Sequence, residues 1–153
     1  MHSFKSQVVR YALPDTRRGK TVKFQIMAVN DETKEVDMVE GYLTVSVYAN
    51  GVPGEVFLTL GKEGHEQHGW ADSWARQFSV LLQTGIDLKY LYSMSKGQSF
   101  APQGVTNLPQ VPLCKSIPDL IVRWMEATFP PTKAGSDIDA KYDNLLDNIL
   151  ESE

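Results

Sequence analysis

The chain has 153 residues, 42% hydrophobic and 22% charged, which suits one domain with a packed core and excludes a wholly disordered or fibrous chain. A single cysteine, Cys114, excludes an internal disulfide and any CxxC zinc or redox site, and no apolar run approaches the ~20 residues that span a bilayer. The net charge of −4 is uneven: residues 1–34 hold seven bases against three acids, and residues 134–153 hold six acids and one base. Met1–Arg10 lacks the apolar stretch of a signal peptide, so a reducing cytoplasm is the expected compartment.

Ser6–Ala12 is a short β-prone run that stops at Leu13-Pro14-Asp15, and a basic loop follows through Arg17, Arg18 and Lys20. Thr21–Ala28 alternates, with Val22, Phe24 and Ile26 on one side and Thr21, Lys23 and Gln25 on the other, which predicts a half-buried strand. Asn30–Glu35 is a polar turn. Residues 41–60 predict a hairpin around Asn50–Pro53, with Val47 opposite Val56, Val45 opposite Leu58 and Leu43 opposite Leu60. Its second face then carries Tyr42, Tyr48 and Phe57.

Gly61–Gly69 reads as a glycine-rich connector. Its Gly61-Lys62-Glu63-Gly64 lacks the spacing of a phosphate-binding loop, and His65 and His68 have no cysteine or second pair beside them to make a metal site. Trp70–Thr84 has Ala71, Trp74, Ala75, Phe78 and Leu82 at helical spacing and stops at Gly85. Asp87–Ser95 predicts a shorter helix. A loop with Pro102, Pro109 and Pro112 leads to a third helix over 116–128, capped by Ser116 and stopped by Pro130-Pro131. The expectation is an α+β domain over 1–130: an antiparallel sheet of three to five strands with a central hairpin and the helices on one face. Residues 131–153 are expected to be a linker and an acidic amphipathic tail.

Single-stranded DNA is held by cations that track the backbone and by aromatic faces on which bases stack. Tyr42, Tyr48 and Phe57 supply such a face, with Lys62 just past the hairpin. The neighbouring strand and loop supply Arg17, Arg18, Lys20 and Lys23, with Arg10 on the preceding run. The competing reading is that a helix or another subunit covers this face and makes the aromatics core. In the tail, Ile138, Tyr142, Leu145, Leu146 and Ile149 form one helical face suited to a partner's groove.

The stretch from Leu13 to Trp124 resembles the C-terminal, TSCPD-type domain of adenosylcobalamin-dependent (class II) ribonucleotide reductases. The matching pieces are Leu13-Pro14-Asp15-Thr16-Arg17-Arg18, Glu40-Gly41-Tyr42-Leu43-Thr44-Val45, and Pro53-Gly54-Glu55. They continue through Gly61-Lys62-Glu63-Gly64, Leu82-Gln83-Thr84-Gly85, Phe100-Ala101-Pro102-Gln103-Gly104, Lys115-Ser116-Ile117 and Arg123-Trp124. Reductase chemistry needs a cysteine that carries a thiyl radical and a redox cysteine pair. With one cysteine in this chain, the resemblance implies an appended domain without that activity. Such a domain with an acidic tail is also similar to the single-stranded-DNA-binding RNA polymerase cofactors of lytic phages.

The leading expectation is therefore a non-enzymatic single-stranded-DNA-binding protein, phage-encoded and acting in the host cytoplasm, that recruits an RNA polymerase. The alternative is an accessory or regulatory subunit of ribonucleotide reduction. Neither requires a cofactor, a metal or a membrane, and both leave a homo-oligomer open.

Overall fold

The computed structural model describes residues 9–61 and 65–131, with residues 65–67 as backbone only. The expected run over residues 6–8, Lys62 and the whole tail, including Ile138, Tyr142, Leu145, Leu146 and Ile149, lie outside the described residues.

Three long strands open the fold: β1 (Arg18–Val29), β2 (Val36–Val47) and β3 (Pro53–Leu60). Then come α1 (His65–Gln83), α2 (Leu88–Ser95), β4 (Gly104–Thr106), β5 (Leu113–Cys114) and α3 (Ile117–Thr128). The strands form one antiparallel sheet in the order β3-β2-β1-β4-β5. The result is the α+β architecture anticipated above.

Alternation in the strands decides which side the helices cover. Phe24, Ile26, Leu43 and Val45 are fully buried on one face, where they meet Leu82 of α1 and Leu120 of α3 in a single core. Burial of each such side chain is worth about 1.5–3 kcal/mol. The opposite face keeps Tyr42 and Phe57 about half exposed. An antiparallel sheet is stable with one face packed and the other open.

The hairpin register differs from the expected one by two residues: Val45 faces Val56, and Leu43 faces Leu58. The turn is tighter at its base than the sequence suggests. Tyr48 N–H donates to the Val52 carbonyl at 2.9 Å, and Gly51 N–H donates to the Tyr48 carbonyl at 2.8 Å. An irregularity between Ser46 and Val47 leaves Gly54 with no residue opposite it. Because the slip is even, the apolar set stays on the core face.

Two other boundaries move. Residues 9–12 are not a strand; Tyr11 N–H instead donates to the Gln83 carbonyl at the end of α1, at 3.0 Å. The expected connector is partly helical, since α1 starts at His65. No apolar residue precedes Trp70 in that first turn, so no periodicity marks it.

The free edge of β3 is closed by α1. Val56 N–H donates to Ser79 Oγ at 3.0 Å, and Gln83 Nε2 donates to the Gly54 carbonyl at 2.9 Å. These bonds satisfy backbone groups that an edge strand otherwise leaves unpaired. Among the described residues no helix is long and apolar enough to cross a membrane.

Candidate functional site

The residues expected to hold a nucleic-acid strand do not share a surface. Tyr42 and Phe57 lie on the open face, but Tyr48 is buried and 1% exposed. β2 ends at Val47, so Tyr48 begins the turn and its ring folds inward, where a Cβ placed on Gly54 would come within 2.6 Å of it. Its hydroxyl donates to the Tyr11 carbonyl at 2.6 Å.

The cations scatter for a related reason. Because β1 starts at Arg18, strand alternation already applies to Lys20 and Lys23, three residues apart and so on opposite faces. Lys20 Nζ sits 5.9 Å from the centre of the Phe129 ring, at the end of α3, and Lys23 Nζ sits 5.9 Å from that of Tyr42, on the open face. Lys23 is also 4.0 Å from Glu40, which brings an acid into the same patch. Arg17 is paired with Glu55. Arg18 donates to the Ala49 carbonyl at 3.1 Å, and Arg10 Nε donates to Gln83 Oε1 at 2.6 Å. Of the described candidates, only Lys23 stands beside an exposed aromatic ring.

Arg10 instead borders a groove of about 490 Å³ between β3 and α1. Glu55, Asp72, Arg76 and Gln83 line it as well. Its charges are matched locally, with Arg76 3.0 Å from Asp72.

The start of α3 is the most tightly tied polar cluster. Ser116 Oγ accepts from Asp119 N–H at 3.1 Å, the N-terminal cap the sequence indicates. Asp119 is 1% exposed, and its carboxylate accepts from Gly97 N–H at 2.7 Å and Lys115 N–H at 2.9 Å. Arg123 Nη1 lies 3.3 Å from the same carboxylate and donates to the Leu113 carbonyl at 2.7 Å. This cluster fastens the proline-rich loop to α3. Asp119 satisfies backbone there, at the floor of a groove that Lys96, Leu113, Lys115 and Arg123 also line.

Cys114 is buried at the adjacent strand end. Desolvation raises its thiol pKa, Asp119 adds to the rise, and hydrogen bonding from Gly104 and Ser116 partly opposes it. A buried thiol held protonated is a poor nucleophile. Among the described residues no three His, Cys, Asp or Glu side chains cluster in a way that holds a metal.

One feature of the open face escapes a reading by sequence alone. Met27, Met38, Val105 and Leu113 form an exposed apolar row. β4 and β5 span three and two residues, too short to alternate, so only tertiary pairing brings Val105 and Leu113 beside Met27.

Comparison with known proteins assigns this architecture. Residues 10–129 match the family model of the TSCPD domain. A vitamin B12-dependent ribonucleotide reductase of Rhodopirellula baltica is 37% identical over 120 residues, covering 78% of this chain and 11% of that protein. The enzymes of the same name from Streptantibioticus cattleyicolor and Streptomyces avermitilis are each 34% identical over 128 residues, or 84% of this chain. The chain covers 20% and 12% of those two proteins. No solved structure matches the chain.

These relatives overturn the leading expectation. They are named as reductases from bacteria, and nothing in them supports single-stranded DNA binding, an RNA polymerase partner, a role in transcription or a phage origin.

Proposed function

We propose that this chain, which belongs to the TSCPD domain family, serves ribonucleotide reduction as an accessory domain that performs no reductase chemistry of its own. The observation that carries this is the extent of the likeness. The 120 residues shared at 37% identity with a vitamin B12-dependent reductase are 78% of this chain and only 11% of that enzyme. The described residues form a unit with a single hydrophobic core of its own. The single cysteine, buried and with its thiol pKa raised, supports a non-catalytic part, because it offers neither a reactive thiolate nor a redox pair. Contact surfaces are then what the domain contributes: the open sheet face with Tyr42 and Phe57, and the groove between β3 and α1.

The test is turnover. A vitamin B12-dependent reductase truncated of its own corresponding segment is assayed with and without this chain. The expected result is a changed rate of deoxyribonucleotide formation on addition, and no formation by this chain alone. An unchanged rate at saturating chain, or product formed by the chain alone, contradicts the proposal.

A further inference from the structure

The open face of the sheet ends in an apolar corner. Strand pairing sets Leu113, Val105, Met27 and Met38 in one row across β5, β4, β1 and β2, and sets Val29 opposite Val36 in the next row. Each of the six is between 47 and 60% exposed. Together they offer apolar area on the order of 500 Å², the size of the largest patch on a typical monomer and a common mark of an interface.

The borders of this corner carry opposite charge. Beyond Val29 and Val36, the turn between β1 and β2 holds Asp31, Glu32 and Glu35, with Asp37 just inside β2, against Lys34 alone. None of these four acids is in an ion pair among the described residues. Beside Leu113, the side chains of Lys96, Lys115 and Arg123 line a common groove. Lys96 is held 2.8 Å from Glu126 and Arg123 3.3 Å from Asp119, whereas Lys115 has no ion pair among the described residues.

A surface with an acidic border along one side and a basic border along the adjacent side is complementary to itself. Two copies can face each other across a twofold axis that runs along the diagonal between those borders. Each acidic turn then lies against the partner's basic edge, the apolar rows meet at the centre, and the strands of the two sheets cross near 90°. Orthogonal crossing is one of the two usual ways in which sheets pack, and a self-complementary patch is what a twofold dimer requires.

We propose that a second copy of this chain covers this corner, forming a twofold dimer through the open face of the sheet. The charged borders add to the apolar area and bring the contact toward the ~800 Å² per copy of a standard interface. The dimer does not depend on the reductase reading.

Sedimentation of the full chain in low salt, from about 1 to about 100 µM, tests it by mass action. The expected species at the upper end has twice the 17.1 kDa of one chain. Met27→Glu places a charge at the centre and should weaken association by roughly 30-fold or more, with the melting of the dilute monomer unchanged because Met27 is half exposed. Leu113→Asp, on the edge strand, gives the same readout should Met27→Glu fail to fold. Glu35→Lys should weaken the dimer, and adding Lys115→Glu in the same chain should restore it. A monomer at every concentration overturns the proposal, as does a dimer that both apolar-to-acid variants leave intact. A monomer whose corner becomes protected only when a reductase is added also overturns it, and gives the face to that partner.

Discussion

At Tyr48, burial and a hydrogen bond act on one hydroxyl. Desolvation is the largest cause pushing its pKa up to about 12, Glu55 adds to the rise, and Arg10 opposes it. The unfolded chain ionises this phenol near its ordinary value of 10.0, whereas the folded chain keeps the proton until about 12. Unfolding therefore releases a proton in that window, and the stability contributed by the buried phenol is complete below pH 10 and lost as pH rises toward 12. Burial raises Tyr92 in the same direction and deepens the fall. Tyr48→Phe should cost about 1 kcal/mol at neutral pH, through the lost bond to the Tyr11 carbonyl, and make the alkaline fall shallower. Thermal melts of both proteins from pH 7 to beyond pH 11 check this; equal slopes would contradict the burial argument. Asp119 is the second test at this scale. Asp119→Ala deprives Gly97 N–H and Lys115 N–H of their acceptor and should cost about 2–4 kcal/mol in urea unfolding. A loss below about 1 kcal/mol would mean that water replaces the carboxylate there.

Among the elements, α1 both covers the core face and closes an edge. Ser79→Ala removes the acceptor for Val56 N–H on the outer strand. It should cost about 1–3 kcal/mol, with hydrogen exchange rising first along β3; uniform exchange across the sheet would contradict the edge role. The elements also show what a sequence can express. Phe24, Ile26, Leu43 and Val45 alternate within their own strands, and Ser116 caps α3 three residues before Asp119, so the sheet, its buried face and that helix start were all legible. The hairpin slipped by two residues because an even slip costs nothing in burial pattern. Tyr48 was misplaced because β2 ends at Val47 and the ring packs on Gly54, with its hydroxyl bonded to the Tyr11 carbonyl, which is distant in sequence. β4 and β5 were missed because pairing with β1 holds them, while the local signal is that of a proline-rich loop. The cations expected on one surface separate for a simpler reason: Lys20 and Lys23 are close in sequence but lie on opposite faces of β1.

For the whole molecule, the match to the TSCPD family covers residues 10–129, which include every strand and helix described. Conserving a self-closed unit inside enzymes five to nine times longer suits a domain that meets other parts of the assembly through its surface. Two surfaces are available for that role without disturbing the core: the groove between β3 and α1, and the part of the open sheet around Tyr42 and Phe57. The most direct measurement is calorimetric titration of this chain into a vitamin B12-dependent reductase that lacks its own TSCPD segment. Accessory function predicts saturable binding at about one chain per catalytic chain, with a negative heat-capacity change from buried apolar surface. Absence of binding at concentrations where the chain is folded, as judged by its melting transition, would contradict it.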